Sequence, residues 1–354
     1  MSERVLMKGN EALAEAAIRA GCRHYFGYPI TPQTEIAAYM AKRMPKVGGT
    51  FLQAESEVAA INMVLGAAAA GVRAMTSSSS PGISLKSEGI SYIAACDLPC
   101  LIVDVMRGGP GLGGIQPSQA DYWQVTRGLG HGDKQLLVFA PSTVQEMVDT
   151  VFNAYHKADT YRIPAVILAD GMLGQMMEPV SFPDEDKAEA IEKPWATNGH
   201  KGKRTHNIVN SLLLKPEQLE QTVFERAKRY EQVKQNEQLW EEYRMEDATL
   251  AVVAYGASAR IAMNAIDAAR ESGLQVGLIR PISLWPFPEK AIEAAAGKVQ
   301  GFLCVEMSMG QMIEDVRLVV SGRKPVAFYG RTGGIIPTPD EVLCEIKKLM
   351  GGER

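Results

Sequence analysis

Short apolar runs alternate with helical periodicities from residue 8 to about residue 170. Each boundary is marked by glycine, proline or a residue suited to capping a helix, and several runs are apolar on both faces. Strands with two apolar faces are buried between helical layers, so the pattern predicts a mostly parallel, doubly wound α/β sheet. The predicted strands are His24–Ile30, Thr50–Gln53, Arg73–Ser77, Pro99–Met106, Gln135–Ala140 and Pro164–Asp170.

A second series of strand and helix patterns begins at Thr249 and ends in a helix that starts near Pro337. Its four strand–helix units predict a second doubly wound parallel-sheet domain. We therefore expect an α/β fold with two such domains and a linking segment between them. The expected boundaries are 1–180, 181–246 and 247–354.

The linking segment is charged and polar. Residues 193–206 show neither a helical nor a strand period, which is typical of an extended segment. From Pro216 a long amphipathic helix is predicted, and its apolar stripe must be covered either by its own domain or by a neighbouring subunit. The sequence leaves both alternatives open. The stripe consists of Leu219, Val223, Ala227, Tyr230, Val233 and Trp240.

Length, charge and cysteine content narrow the class of protein. A chain of 354 residues is longer than one hydrophobic core usually supports. The net charge of −4 gives no basic field for nucleic acid, and neither a membrane-spanning run nor a signal peptide is found, so a cytoplasmic protein is expected. The five cysteines form no C-x-x-C pair and no ligand set for zinc or an iron–sulfur cluster. We expect no metal site on this chain and any redox centre on another.

Thr31 is the first candidate site residue, because it stands between a predicted strand and Pro32 at a predicted helix start. It is well placed to be the N-cap of this helix, a role that stabilises by roughly 1 kcal/mol. A helix N-terminus at the carboxyl end of a strand can also bind an anion, so Thr31 could face a substrate carboxylate. The spacing of these residues, taken alone, favours the role of helix N-cap for Thr31 over that of carboxylate binding.

Glu57 is the second candidate. It follows Glu55 and Ser56 at the start of a predicted helix rich in small residues. Acidic residues in a first helical turn usually only compensate the helix dipole. The alternative is a carboxylate buried in a cleft, where it could hydrogen-bond the nitrogen of a heterocycle and direct its protonation.

Arg107 is the third candidate and precedes a glycine-rich loop. Gly109, Gly111 and Gly114 satisfy the G-x-G-x-x-G pattern of dinucleotide-binding proteins. However, the adjacent prolines do not open a helix as that pattern requires, and no acidic residue ends the following strand. Arg107 is better placed to bind a carboxylate as a bidentate pair, and the loop could move as a lid.

Two further features have simple structural explanations. The hydroxyl-rich turn at residues 76–82 is typical of a helix cap, although its backbone amides could bind an anion or a cofactor. His131 has no evident partner, and we expect a local structural role for it.

Several ordered segments carry a family resemblance. They are YPITPQTE, ESEVAAINMVLGAAAAG, TSSSSPGISLKSEGI and VDVMRGGPGLGGIQPSQADYWQ in the first half, and RPISLWPFP, VEMSMGQM and YGRTGGIIPTPDEV in the second. Together they resemble the alpha (pyrimidine-binding) subunit of 2-oxoacid:ferredoxin oxidoreductases. The resemblance implies a thiamine diphosphate-binding pyrimidine domain and a transketolase C-terminal-like domain, called Domain II. The glycine loop is most similar to that of 2-oxoisovalerate (3-methyl-2-oxobutanoate) oxidoreductases.

The resemblance also implies residue roles. Glu57 would be the catalytic and cofactor-binding residue, because it would hydrogen-bond the aminopyrimidine ring nitrogen of thiamine diphosphate and favour the imino tautomer. Thr31 and Arg107 would bind the carboxylate of the 2-oxoacid. The implied reaction is oxidative decarboxylation of a branched-chain 2-oxoacid to acyl-CoA and CO2, with coenzyme A as co-substrate and electrons passed to ferredoxin.

Partner chains are implied as well, since the chain lacks the G-D-G segment that holds magnesium and diphosphate in such enzymes. A beta subunit would share the thiamine diphosphate and carry Mg2+, and a gamma subunit and a ferredoxin-like delta subunit would complete the enzyme, with [4Fe-4S] clusters on partner chains. This chain alone would be inactive. The alternatives are the same family acting on 2-oxoglutarate or pyruvate and, more remotely, an NAD-dependent dehydrogenase or a non-catalytic scaffold subunit.

Overall fold

The computed structural model describes residues 4–183 and 191–351; residues 184–190 of the predicted linking segment lie outside the described residues. Strands and helices alternate along most of the described chain. The strands are β1 (Val5–Lys8), β2 (His24–Gly27), β3 (Thr50–Gln53), β4 (Ala74–Ser78), β5 (Leu101–Met106), β6 (Leu137–Phe139), β7 (Ala165–Asp170), β8 (Met177–Val180), β9 (Trp240–Tyr243), β10 (Leu250–Val253), β11 (Val276–Pro281), β12 (Ser283–Trp285), β13 (Gly301–Glu306) and β14 (Val326–Gly330). The helices are α1 (Gly9–Arg19), α2 (Thr34–Arg43), α3 (Glu57–Ala69), α4 (Ser80–Ala95), α5 (Val144–Tyr161), α6 (Gly171–Gln175), α7 (Pro216–Asn236), α8 (Gly256–Glu271), α9 (Glu289–Ala296), α10 (Met312–Val320) and α11 (Pro339–Leu349).

The first sheet has the strand order β12-β6-β7-β5-β4-β2-β3. Its neighbouring strands are parallel, except that β12 runs antiparallel to β6. Every residue of β4, β5 and β7 is buried, as expected for strands that are covered on both faces. The six strands predicted for this domain are present. The largest difference is at β2, which was predicted to reach Ile30 and ends at Gly27.

The second sheet has the order β14-β13-β10-β11-β9, and only β9 is antiparallel to its neighbour. The four predicted strands of the second domain are β10, β11, β13 and β14. The predicted fold class, α/β with two mostly parallel sheets, is therefore confirmed. Strands β1 and β8 form a separate antiparallel pair.

The two halves of the chain are joined by backbone pairing and by buried polar contacts. Strand β12 comes from the second half but adds to the edge of the first sheet. Arg280, just before it, makes two hydrogen bonds of 2.9 Å to the carboxylate of Glu146 on α5. Buried side chains of both sheets belong to one continuous hydrophobic core. The halves therefore pack as one unit across an apolar interface.

Helix α7 begins at Pro216, as predicted. It ends at Asn236, so the prediction that its apolar stripe continues to Trp240 is wrong: that residue begins β9. The second half of the helix packs on its own chain, where Arg226 is buried and its Nε donates to Asp97 Oδ1 at 3.0 Å. No helix within the described ranges is long and apolar enough to cross a membrane.

Candidate active site

The candidate site lies at the carboxyl ends of four adjacent strands of the first sheet. Thr31 follows β2, Glu57 follows β3, Ser80 follows β4 and Arg107 follows β5. Neighbouring parallel strands end at the same edge, where open α/β sheets bind their ligands. The sheet order therefore brings together residues that lie far apart in the sequence.

Thr31 does not cap a helix, so that prediction is wrong. Helix α2 begins three residues later, and Gln33 occupies its N-cap position without a side-chain cap. The carbonyl oxygen of Pro32 instead accepts a hydrogen bond of 2.8 Å from Asn10 Nδ2, which holds residues 31 and 32 in a turn ahead of the helix. Thr31 is exposed in this turn. It is therefore accessible to a ligand.

Arg107 faces the same turn. Its Nη1 donates to the carbonyl oxygen of Thr31 and its Nη2 to that of Leu112, each at 3.0 Å. Its Nε is buried and has no hydrogen-bond partner among the described residues. The structure thus brings Thr31 and Arg107 together and leaves a cationic donor at the sheet edge, which is suited to a carboxylate.

The glycine loop after Arg107 folds back on itself rather than opening a helix. The amide of Gly108 donates to the carbonyl oxygen of Gln116, and the amide of Gly114 donates to that of Gly108, each at 2.9 Å. Gly113 has a φ of +55°, and a Cβ there would lie 1.8 Å from the carbonyl oxygen of Gly108. This turn lacks the strand–turn–helix geometry of a dinucleotide site.

Glu57 is the first residue of α3 and is 6% exposed. The preceding Ser56 caps the helix, because its hydroxyl accepts a hydrogen bond from the amide of Ala59 at 3.1 Å. Helix capping is therefore done by the serine. Gly82 lies directly against Glu57: a Cβ at residue 82 would be 2.7 Å from Glu57 Oε1 and 2.1 Å from the hydroxyl of Ser78. Glu57 is thus a buried carboxylate whose position requires a glycine at residue 82.

A buried lysine was missed by the sequence analysis. Lys86 on α4 is fully buried, and its Nζ donates to the carbonyl oxygen of Ser77 at 3.3 Å. Burial lowers the pKa of Lys86 to about 8, against the opposing effect of the carboxylates of Glu57 and Asp104. A sequence signal was present, because Lys86 lies on the same helix face as the buried Ile83, three residues before it.

Gln33 was missed as well. It is fully buried, and its Oε1 accepts a hydrogen bond of 2.5 Å from the hydroxyl of Ser77, which also contacts the hydroxyl of Tyr25 at 2.7 Å. Its Nε2 donates to the carbonyl oxygen of Tyr28 at 3.2 Å. This network ties the turn that contains Thr31 to the end of β4.

These residues fit the aminopyrimidine end of thiamine diphosphate. Glu57 offers a buried carboxylate, and the hydroxyls of Ser78 and Ser79 are buried without a hydrogen-bond partner among the described residues. Because Gly82 has no Cβ, the carboxylate of Glu57 can lie directly against α4. Within residues 4–183 and 191–351, no three His, Cys, Asp or Glu side chains cluster as metal ligands.

Family models define the class of protein. Residues 15–245 match the family described as pyruvate flavodoxin/ferredoxin oxidoreductase, thiamine diphosphate-binding. Residues 248–342 match pyruvate:ferredoxin oxidoreductase core domain II. The chain therefore belongs to the thiamine diphosphate-binding family of pyruvate flavodoxin/ferredoxin oxidoreductases.

Individual relatives are similar over the whole chain. The ketoisovalerate oxidoreductase subunit VorB of Methanothermobacter thermautotrophicus is 48% identical over 98% of both chains. The 2-oxoglutarate synthase subunit KorA of the same organism is 36% identical over 99% of this chain and 100% of its own. Among solved structures, the 2-oxoglutarate:ferredoxin oxidoreductase of Magnetococcus marinus, with 2-oxoglutarate, coenzyme A and succinyl-CoA bound, has a TM-score of 0.89 at 27% identity. It is matched over 98% of this chain, which spans 65% of that structure's chain.

These findings confirm the predicted family, the oxidoreductase class and the thiamine diphosphate-binding fold. Both relatives are subunits, in agreement with an enzyme assembled from several chains. The roles predicted for Thr31, Glu57 and Arg107 stay predictions.

Proposed function

We propose that this chain is the pyrimidine-binding subunit of a 2-oxoacid:ferredoxin oxidoreductase that acts on branched-chain 2-oxoacids, 2-oxoisovalerate first among them. The reaction is oxidative decarboxylation to an acyl-CoA and CO2, with coenzyme A as co-substrate. One observation carries the proposal: Arg107 is hydrogen-bonded to Thr31 at the same sheet edge at which Glu57 is buried. A carboxylate-binding group and a proton-exchanging group thus lie at one edge of the sheet.

At the cofactor end, Glu57 is the catalytic residue. Bound thiamine diphosphate supplies the nucleophilic carbon that attacks the 2-oxo group. The Glu57 carboxylate forms the hydrogen bond to the aminopyrimidine ring nitrogen and exchanges a proton with it. Its burial keeps water from competing for that bond, and Gly82 leaves room for the Glu57 side chain itself.

At the substrate end, Arg107 binds the carboxylate and Thr31 orients it. The two carbonyl acceptors already on the guanidinium fix its plane, and a fixed plane favours bidentate recognition. Holding the carboxylate there places the 2-oxo carbon for attack.

The glycine loop supports a substrate with an apolar side chain. Residues 108–120 contain no charged side chain, while Leu112 and Ile115 are 84% and 58% exposed. A second carboxylate, as in 2-oxoglutarate, would find no cation on this loop, whereas an isopropyl group would find apolar surface. The similarity to VorB also supports a branched-chain substrate, and the similarity to KorA makes 2-oxoglutarate the principal alternative.

The remaining parts of the enzyme belong to partner chains. We place Mg2+ and the diphosphate on a beta subunit and the [4Fe-4S] clusters on further chains, including a ferredoxin-like delta subunit beside a gamma subunit, with ferredoxin as the electron acceptor. The bound ligands of the Magnetococcus marinus enzyme support coenzyme A as the acyl acceptor. Cytoplasmic localisation is part of the same proposal.

A substrate panel on the complex purified with its partner chains tests the function. Reduction of a viologen dye is measured with 2-oxoisovalerate, 2-oxoglutarate, pyruvate and indolepyruvate, each with coenzyme A and thiamine diphosphate. We expect kcat/KM for 2-oxoisovalerate to exceed that for 2-oxoglutarate by about 100-fold or more, because the second carboxylate would be left unpaired. A preference for 2-oxoglutarate would overturn the substrate assignment, and no reduction with any 2-oxoacid would overturn the function. Tight binding of NADH by the chain would instead support the dehydrogenase alternative.

A further inference from the structure

Two carboxyl groups, one fully buried and one partly buried, lie next to each other beside the candidate site. Asp104 in β5 is fully buried, and its carboxylate oxygens have no well-aligned hydrogen-bond donor among the described residues, although the backbone of Ser80 lies near enough to lower its pKa. The carboxyl of Asp121, which follows the glycine loop, lies within hydrogen-bond reach of it. Two carboxylates repel each other, and they form a hydrogen bond only when one of them carries a proton.

The surroundings of the pair favour this proton. Complete burial raises the pKa of Asp104 well above its usual range, and the charge of Asp121 raises it further. Burial also raises the pKa of Asp121. Lys86 is the cation that faces Asp104 from α4. A pair that shares one proton carries a single negative charge, so one ammonium group balances it.

The pair connects the two ends of the site. The hydroxyl of Ser80 donates to Asp121 Oδ2 and lies 3.1 Å from the amide of Arg107, from which it accepts a hydrogen bond. Lys86 lies in the electrostatic field of both Asp104 and Glu57. Hydrogen bonds through Ser80 therefore link Asp121 to the backbone of Arg107, and the charge of Lys86 acts on both Asp104 and Glu57.

The other ionisable groups around the pair come from the second half of the chain. Tyr255, at the start of α8, faces Asp104 and Asp121, and burial together with the charges of Glu306 and of these aspartates raises its pKa well above its usual range. Tyr255 is therefore neutral and adds no charge to the cluster. The charges facing the pair are those of Lys86 and, beyond it, Glu57.

We propose that Asp104 and Asp121 hold one proton between them and, with Lys86, form a buried ionic unit that positions Glu57 for the cofactor and Arg107 for the substrate. The three are positioning residues, and their role rests on the proposed function. A buried ion pair is a poor source of stability, since apolar side chains of similar volume often stabilise as well or better. Because this ionic unit lies between Glu57 and Arg107, we assign it the role of positioning these two residues rather than that of stabilising the fold.

The shared proton can be measured without substrate. Infrared difference spectra of the purified complex, prepared with 13C-labelled aspartate, are compared between the wild-type protein and variants at neutral pH. We expect the wild type to show a carbonyl band of a protonated aspartic acid that is lost in both Asp104→Asn and Asp121→Asn. It should persist in Asp159→Asn, which removes a buried aspartate paired with Arg73 at 2.8 Å away from the site. A wild-type spectrum without this band, or a band retained in both site variants, would overturn the proposal.

The positioning role is tested by separating cofactor affinity from substrate affinity. Lys86→Met should weaken thiamine diphosphate binding by about 10-fold or more in calorimetry while the KM for the 2-oxoacid changes little. Ser80→Ala should do the reverse, because it removes the hydroxyl that links Asp121 to the backbone of Arg107 and leaves Lys86 and Glu57 in place. If Lys86→Met and Ser80→Ala changed the cofactor affinity and the KM equally, or changed neither, these residues would only pack in the core and the positioning role would be rejected. If Lys86→Met does not assemble, the same comparison is made with Asp104→Asn. The infrared band does not require turnover, so it can be present even if the proposed function fails.

Discussion

At the scale of single residues, the candidate site is built from a carboxylate that the fold takes out of water. Glu57 sits at a helix N-terminus, where an acidic side chain normally remains exposed, as Glu55 does two residues earlier. The difference arises because α3 and α4 lie over adjacent strands, and Gly82 on α4 leaves space for the Glu57 side chain. The sequence could show that an acid begins this helix. It could not show which of the two acids is buried, because that depends on a residue 25 positions away.

Replacing Glu57 by Gln should abolish the cofactor chemistry while the fold is kept. The amide has the same shape but cannot exchange a proton with the ring nitrogen, so the rate should fall by about 100-fold to 10,000-fold. Deuterium exchange at the reactive carbon of thiamine diphosphate in the assembled complex measures this step directly. Glu55→Gln is the matched control and should exchange at the wild-type rate. If Glu57→Gln exchanged deuterium at the wild-type rate, the catalytic role of Glu57 would be ruled out.

Gly82→Ala tests whether the space beside Glu57 matters. The new Cβ would lie 2.1 Å from the hydroxyl of Ser78 and 2.7 Å from Glu57 Oε1, so the carboxylate must move. We expect cofactor affinity to fall by about 10-fold or more, since a shift of about 1 Å is enough to disturb a catalytic contact. Isothermal titration of the complex with thiamine diphosphate gives the affinity.

The control for this substitution is Gly66→Ala in α3. Nothing lies within 4 Å of a Cβ at Gly66. Alanine there should leave the affinity unchanged and stabilise the helix by up to about 1 kcal/mol. If both variants bound the cofactor like the wild type, the close approach at Gly82 would have no bearing on the site.

At the scale of elements, the parallel strands of both sheets were predictable, including the edge strands β3 and β14, and the antiparallel edge strands β9 and β12 were not. The runs that became β5 and β7 are apolar except for one aspartate each, because these strands are covered on both faces. Strand β9 has the sequence WEEY and β12 has SLW, and both are held at sheet edges by partners distant in the sequence. Such short segments have no periodicity of their own to detect. The expected domain boundaries stay a prediction, and β12 shows that the second half of the chain completes the first sheet.

The segment that follows the glycine loop is fixed to the second half of the chain by Gln119. This side chain is fully buried; its Nε2 donates to the carbonyl oxygen of Tyr255 at 2.8 Å, and its Oε1 accepts from the hydroxyl of Ser258 at 2.7 Å and the amide of Met307 at 3.0 Å. The loop of Arg107 is thus anchored at its far end by the other sheet. The sequence showed a polar residue in a motif but not its partners, more than 130 positions away.

Gln119→Leu should therefore destabilise the chain strongly. It leaves the hydroxyl of Ser258 and the amide of Met307 without a partner, and each such buried group costs about 1–3 kcal/mol. We expect a loss of about 3 kcal/mol or more in the free energy of unfolding, measured by urea titration of the full chain. Gln124→Leu serves as the comparison, because Gln124 makes a single exposed hydrogen bond of 2.8 Å to Ser84, and its loss should change stability by about 0.5 kcal/mol or less. A similar loss in both variants would mean that the anchoring contacts are not what stabilises this segment.

At the scale of the whole molecule, the interior carries an unusual set of buried acids. Burial raises the pKa values of four acids: Asp104 within β5, Asp121 after the glycine loop, Asp170 at the end of β7 and Glu306 at the end of β13. The net charge of −4 gave no indication of this, since composition does not tell which acids are inside. The motif-bearing segments were identified from the sequence, but their electrostatic coupling required the sheet order.

The buried acids predict how stability depends on pH. In the unfolded chain Asp104 has a pKa of about 4, and in the folded chain its pKa is raised well above that value. Between the two values the folded state binds the extra proton, so the free energy of unfolding falls as pH rises, by up to about 1.4 kcal/mol per pH unit for one proton. The stabilisation is fully present below the unfolded pKa and is lost as pH rises through the folded pKa. Lys86, whose pKa is lowered to about 8, acts in the opposite direction only above that pH.

Asp104→Asn isolates this contribution between about pH 5 and pH 7, a window above the unfolded pKa of aspartate and below the pKa of Lys86. An amide cannot lose the proton, so the variant should lose less stability than the wild type as pH rises. The other buried acids are common to both proteins, and the difference between the two curves therefore reports on the shared proton alone. Urea unfolding of the full chain at several pH values measures it, with Glu55→Gln, an exposed acid, expected to keep the wild-type slope. If the free energy of unfolding of wild type and of Asp104→Asn changed with pH in parallel, the aspartate pair would hold no proton in this range. The ionic unit would then consist of two separate carboxylates balanced by Lys86 alone.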